Sequence, residues 1–126
     1  AHDIDLLNVS NAPLISIPEA VANDWYAPYV TNKANNDYTF TTDVKNSIMF
    51  EYHDCANTNA LPVCDIIFAR DLISFLPAAA QTGLAADFEE KLKGNGVVFL
   101  GQNETLENNS KWIAHKESSI TTYTKQ

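Results

Sequence analysis

Two polar clusters close apolar runs in this sequence. Arg70-Asp71 follows Cys64-Asp65-Ile66-Ile67-Phe68-Ala69, and Gln102-Asn103-Glu104 follows Val97-Val98-Phe99-Leu100-Gly101. A guanidinium beside a carboxylate can take up an anion or neutralise its neighbour, and the reading adopted here is that Arg70 and Asp71 pair with each other. A second set, His2, His53, Asp54, Cys55 and Cys64, has metal-ligand side chains. Their spacing matches no C-x-x-C or H-x-x-x-H pattern. His53 and Cys55 share a strand face, yet a strand-end histidine is far more often structural, so no metal is expected. No Ser-His-Asp arrangement or nucleophile elbow is visible.

The elements that must position these clusters form one unit. The run from Cys64 reads as a strand, Pro77 to about Lys93 as a helix, Gly94-Asn95-Gly96 as a turn, and Val97–Leu100 as a second strand. Strand, helix, turn, strand is the sequence form of a βαβ unit in a parallel sheet. Runs apolar at every position suit strands buried on both faces. Ligands of such sheets sit beyond the carboxyl ends of the strands, which is where both polar clusters fall. Ala80, Leu84, Phe88 and Leu92 recur at intervals of four and give the helix its apolar face.

Upstream, Ala1–Leu7 reads as a strand leaving into a short helix capped by Asp3 or Asp5. Pro18–Tyr26 reads as a second short helix, with Val21 and Trp25 on one face and Trp25 as a core anchor. Tyr29-Val30-Thr31 and Tyr38–Thr42, around the turn-like Lys33–Asp37, predict an antiparallel hairpin. Ile48–Asp54 predicts another strand, and Trp112–Ala114 with Ser119–Thr124 predicts an antiparallel edge pair after the polar stretch 107–110.

A chain of 126 residues holds one domain with a modest core. The formal charge of -8 leaves no basic patch for nucleic-acid phosphates. No apolar run approaches the roughly 18 residues of a membrane span, and the acidic opening is not that of a signal peptide. Cys55 and Cys64 sit next to predicted strand interiors, as buried thiols do.

The same residues carry a resemblance. Asp65–Phe75 is similar to the segment D-x-I-F-C-R-N-V-x-I-Y-F of CheR-type chemotaxis methyltransferases, and Gly96–Leu106 to their G-x-L-F-x-G-H-S-E-x-x. Ala1–Asp5 resembles the family's A-S-D-I-D, Ile48–Cys55 its V-x-F-x-x-x-N-L strand, and Ile120–Tyr123 its closing strand. The hairpin sits where the family inserts a small β-subdomain, which in some members grips the tail of a chemoreceptor. The resemblance implies an α/β fold: a truncated Rossmann-like methyltransferase sheet with an inserted antiparallel β-hairpin subdomain, about 29–47, and antiparallel C-terminal edge strands. It also implies a single CheR-like domain over 1–126, part of a longer chain, in the cytoplasm. That cytosolic setting makes Cys55 and Cys64 reduced rather than disulfide-bonded and leaves the sequons at Asn103 and Asn108 silent.

Measured against that family, the chain lacks the Gly-rich loop that would hold the carboxylate and ribose of S-adenosylmethionine. Asp71 stands for the family's Asn, Phe75 for its Tyr, Asp54-Cys55 for N-L, and Gln102-Asn103-Glu104 for H-S-E, while Asp3, Arg70 and Glu104 match. The expectation is therefore a non-catalytic module of a chemosensory array that binds no cofactor, with Asp3, Asp54, Cys55, Arg70, Asp71 and Phe75 as relics of a site. The alternative is the C-terminal part of an active S-adenosylmethionine-dependent protein-glutamate methyltransferase acting on chemoreceptors. Expected partners are a chemoreceptor, a CheA-type kinase, a CheW-type coupling protein or a second copy, since sheet edge and apolar surface would be bare. Tyr29, Lys33, Tyr38, Phe40 and Lys45 of the hairpin region are the candidate peptide contacts, by β-augmentation.

Overall fold

The computed structural model describes residues 1–22, 24–34, 37–58, 60–106, 111–117 and 120–126, without the side chains of 20, 21, 33 and 34. The chain is a mixed α/β structure of two compact units, Ala1–Asp54 and Cys55–Gln126.

In the first unit, β1 (His2–Asp3) and β4 (Glu51–Tyr52) pair in parallel, His2 with Glu51 and Asp3 with Tyr52. Only two residues of the strand expected over 48–54 enter this ladder. Between them, Asp5 caps α1 (Leu6–Asn11), its carboxylate accepting the Leu7 N–H at 2.8 Å. A 3-10 turn, Ala12–Leu14, carries Pro13 and ends the helix. After Pro18, α2 spans only Glu19–Ala22. It stops before Trp25, so the shared helical face expected for Val21 and Trp25 does not form. Trp25 is 76 % exposed against the edge of Tyr26 and is not a core anchor.

The hairpin pairs β2 (Val30–Ala34) with β3 (Asp37–Phe40), with Val30 opposite Phe40 and Asn32 opposite Tyr38. Thr39 points inward and is buried with Ile17, which bridges to Tyr38. By strand alternation Tyr38 and Phe40 point to the other face. Thr41 then caps α3 (Thr42–Asn46).

The second unit holds β5 (Cys64–Ala69), α4 (Ala78–Lys91), β6 (Leu92–Leu100), β7 (Trp112–Glu117) and β8 (Ile120–Lys125). The sheet order is β5-β6-β8-β7. β5 and β6 are parallel, with Ile67 opposite Val98 and Ala69 opposite Leu100, and α4 is the crossover between them. β8 returns antiparallel on β6, and β7 closes the edge. The helix packs Leu84, Ala85 and Phe88 against Ala69, Val98, Leu100 and Tyr123, the core of this unit. Lys125 reaches across to donate to the Glu89 and Leu92 carbonyls at the end of α4.

Two expectations are corrected here. The Gly94-Asn95-Gly96 stretch lies inside β6, at an irregularity in its register with β5. The strand can run through it because Gly96 lets the two backbones approach closely. A Cβ there would stand 2.8 Å from the Asp65 carbonyl oxygen and 2.6 Å from Leu92 Cδ1. Nor is β5 buried on both faces. Ile67 and Ala69 face the core, whereas Ile66 and Phe68 are exposed on the other side, Phe68 stacked on Phe99 at 4.8 Å.

Candidate functional site

Polar residues collect at the carboxyl ends of parallel strands in both units. In the first, β1 ends at Asp3 beside the end of β4, and the His53 N–H donates to the Asp3 carbonyl at 2.8 Å. Asp3 and the segment leading to Asp54 are thus brought together. The Asp3 carboxylate accepts the Asp5 N–H at 2.7 Å and the Asn8 side-chain amide at 3.2 Å. An ionised carboxylate has about four acceptor positions, so part of its capacity is open to a ligand. A cavity of about 450 Å³ opens beside it, lined by His2, Asp3, Asn8, Asn11, Ile15 and Phe50 among others. His2 pairs with Glu51 at 2.8 Å and meets the His53 ring edge-on. Among the described residues no cluster of three or more metal-ligand side chains could hold an ion.

In the second unit β5 ends at Ala69 and β6 at Leu100, directly opposite each other. The turn after β5 carries Arg70 and Asp71. Asp71 has φ 54°, the left-handed region, where Asn and Asp are tolerated best after glycine. Exchange of the family's Asn for Asp therefore keeps the backbone the position requires. No ion pair joins Arg70 to Asp71 among the described residues, which corrects the expected pairing. Arg70 is exposed and its guanidinium faces solvent. Phe75, at the end of the 3-10 turn Ile73–Phe75, is 80 % exposed.

The residue that organises this turn is Glu104, only 5 % exposed. Its Oε2 accepts the Asp71 N–H at 2.7 Å and the Gly101 N–H at 2.8 Å. Its Oε1 accepts the Ser74 N–H at 3.0 Å and the Ser74 hydroxyl at 3.4 Å. Burial alone would push this carboxyl up. The backbone N–H groups of Ser74, Gly101, Asp71 and Leu72 outweigh it and hold the carboxyl below its ordinary value. Gly101 is required by the same contact: a Cβ would lie 2.7 Å from both Asp71 Oδ1 and Glu104 Oε2. The sequence marks Glu104 as a match to the family pattern, but not as the hub of the turn.

The hairpin candidates are surface residues. Tyr29 and Phe40 lie at one end of the hairpin, both exposed, with the Thr41 N–H donating to the Tyr29 carbonyl at 2.9 Å. Tyr38 is half-buried on the outward face of β3, and Lys45 is half-buried on α3. The Lys33 side chain lies outside the described residues, as does the sequon at Asn108. Cys55 and Cys64 are both half-buried, not buried as expected, and are not joined in a disulfide.

Parallel strands with acidic and basic residues at their carboxyl ends define an α/β protein with the layout of a small-ligand or cofactor site. The comparisons make the class specific. The family described as CheR methyltransferase, SAM binding domain, matches residues 1–122, and the chain belongs to this family. It is also similar to "Chemotaxis protein methyltransferase 2" of Vibrio cholerae serotype O1, 27% identical over 81 residues. That match covers 62% of this chain and 28% of the relative, so the matched part spans less than a third of the relative's length.

Two expectations fall with this finding. The sequence reading of a non-enzyme is overturned, because the family is one of methyltransferases. The reading that no cofactor binds is overturned by the domain itself, which is the S-adenosylmethionine-binding one. The absence of the Gly-rich loop from these 126 residues does not bear against either, since the match covers only 28% of the relative.

Proposed function

We propose that this chain is part of the cofactor-binding domain of an S-adenosylmethionine-dependent methyltransferase that acts on glutamate side chains of chemoreceptors. The observation that carries the reading is the family match over residues 1–122. We read both units as parts of one domain, since that match spans them.

The residues fit the cofactor by their chemistry. S-adenosylmethionine offers hydroxyl and amino donors and a positive sulfonium, and exposed or half-exposed carboxylates at strand ends suit all three. Within the first unit, Asp3, with open acceptor positions, and Asp54 are the candidates for it; within the second, taken by itself, the candidate is Asp71, beside Arg70. When bound, the cofactor supplies an electrophilic methyl group. A receptor glutamate is already anionic at neutral pH, so the chain need not remove a proton from it. Its residues have to bind, orient and bring together two reactants. Arg70, exposed and without an ion pair among the described residues, is assigned to carboxylate recognition.

For the receptor we assign the hairpin, with Tyr29, Tyr38 and Phe40 as aromatic contacts and Lys33 and Lys45 toward an acidic segment. An array kinase, a coupling protein and a second copy of the chain are further partners that the family context suggests. The setting proposed is the cytoplasm. Among the described residues no helix is long and apolar enough to cross a membrane.

The test is titration calorimetry of the intact protein with S-adenosylmethionine and S-adenosylhomocysteine, followed by transfer of labelled methyl groups to a chemoreceptor cytoplasmic fragment. Saturable one-to-one binding and base-labile label on the receptor are expected. No heat from either ligand would sink the reading.

A further inference from the structure

We propose that Glu104 is a positioning residue for cofactor binding: its buried carboxylate ties the turn after β5 to the turn after β6 and holds Arg70 and Asp71 in the single conformation that meets the ligand. The proposal rests on the reading of the chain as part of a methyltransferase.

The geometry is that of a saturated acceptor. Each carboxylate oxygen has two lone pairs. Oε2 receives Asp71 and Gly101, and Oε1 receives Ser74 twice, through its N–H and its hydroxyl. No acceptor position is left for a ligand, so Glu104 acts only through what it holds. The donors come from two segments, the turn at 71–74 and Gly101; Glu104 lies 33 residues from Asp71 and 30 from Ser74 but only 3 from Gly101. One side chain thereby fixes two turns at once. No cation pairs with it among the described residues. Its charge is met by peptide N–H groups and the Ser74 hydroxyl, and the N–H groups keep that orientation only while both turns keep their shape.

Asp71 is the residue that gains. A left-handed backbone is unfavourable for a residue with a Cβ, and the bond from its N–H to Oε2 compensates at the position that needs it. The chain also bends back at this point: the Glu104 N–H donates to the Gly101 carbonyl at 3.1 Å, which folds the carboxylate over Gly101. Gly101 completes the device, since any larger residue would wedge between Asp71 and Glu104.

The test is Glu104→Gln in the intact protein. Glutamine has the same shape but one acceptor oxygen, and its amide would confront N–H donors. Three readouts are taken: amide hydrogen exchange across 70–75 and 101–104, the Kd for S-adenosylhomocysteine, and KM for cofactor against kcat. The wild type is titrated first. If it binds no S-adenosylhomocysteine, the methyltransferase reading fails and this proposal falls with it. If it binds, exchange in the two turns should quicken about 10-fold or more while α4 and β8 stay protected. The Kd and KM should rise about 10-fold or more, with kcat at saturating cofactor changed less than about 3-fold. Loosened turns with unchanged affinity would show a purely structural bond and overturn the proposal, as would unchanged exchange. Ser74→Ala removes one donor and no backbone group. Should the glutamine variant fail to fold, the alanine variant must shift exchange and Kd in the same direction by a smaller factor, and no shift overturns the proposal.

Discussion

Asp3 and Glu104 are both carboxylates that follow parallel strands, and the two units treat them oppositely. Asp3 is half-exposed, bonded to one peptide N–H and one side-chain amide, beside a cavity. Glu104 is buried and fills every acceptor position from within its own unit. The first arrangement leaves capacity for a ligand, and the second spends it all on the shape of the chain. The same side-chain chemistry thus recognises in one place and builds in the other, and what separates them is how many peptide donors surround the group. The cores differ in the same sense. Among the described residues, the buried apolar ones of the second unit form one continuous cluster around Phe88, while those of the first are Ile17 and Ala22, with Thr39 the buried polar one.

The contrast between cores gives the largest expected effect. Phe88→Ala should cost about 3–5 kcal/mol in urea-induced unfolding, from lost burial and the cavity left behind. Ile17→Ala in the first unit should cost about 2 kcal/mol, at the low end for such truncations. A larger loss for Ile17 would reverse the assignment of the second unit as the better-packed one.

Gly101→Ala comes next. Its Cβ would press on two carboxylate oxygens and, at 3.0 Å, on the Asp71 nitrogen. A destabilisation of about 1–3 kcal/mol is expected, as for other overpacked sites. The control is Gly83→Ala on α4, where nothing lies within 4 Å of the added methyl. There the better helix propensity of alanine should stabilise by up to about 1 kcal/mol. Equal losses at the two glycines would mean that the turn between Asp71 and Glu104 yields easily.

Acid should act on the same turn. The folded-state carboxyl of Glu104 lies below its ordinary value of 4.5, so the folded protein prefers the ionised form more than the unfolded chain does. Its stabilising contribution is complete above that ordinary value and is lost as pH falls through the depressed one. Unfolding midpoints measured from neutral pH downward should therefore fall more steeply for the wild type than for Glu104→Gln. Parallel curves would remove Glu104 from the acid response.

Much of this organisation is legible in the sequence because it rests on local pattern. The four-residue spacing of Ala80, Leu84, Phe88 and Leu92 marks α4, and the apolar runs mark β5 and β6 on either side of it. Asp5 is readable as a cap by residue type, whereas Thr41 reads as part of a strand and caps a short helix instead. What sequence reading loses is set by contacts between distant segments. Trp25 shares a face with residue 21 only where one helix holds both, and Trp25 stands in a turn. Gly94 and Gly96 read as a turn because their role, close approach to Asp65 and Leu92, involves another strand. Arg70 and Asp71 read as a pair because they are neighbours, whereas the Asp71 N–H is claimed by a glutamate 33 residues on. The non-enzymatic reading failed for a related reason: it took residues outside the 126 as missing from the protein, and substitution of Asn by Asp at 71 as damage, when the left-handed backbone there accepts both.

The smallest expected change in stability is the one that separates the two carboxylates most clearly. Asp3→Asn keeps an oxygen to accept the Asp5 N–H, and Asn8, which is exposed, can turn its amide to water. Unfolding free energy should move by no more than about 0.5 kcal/mol, as at other surface sites. Affinity should respond instead. Replacing an ionised acceptor by a neutral one weakens a hydrogen bond to a ligand hydroxyl by about 1–2 kcal/mol, or roughly 10-fold in the Kd for S-adenosylhomocysteine. Glu104→Gln is expected to lower both stability and affinity. If Asp3→Asn also unfolds the protein, Asp3 is a building residue like Glu104, and the division between the units disappears. If it changes neither quantity, the open acceptor positions at the end of β1 serve no ligand of this kind.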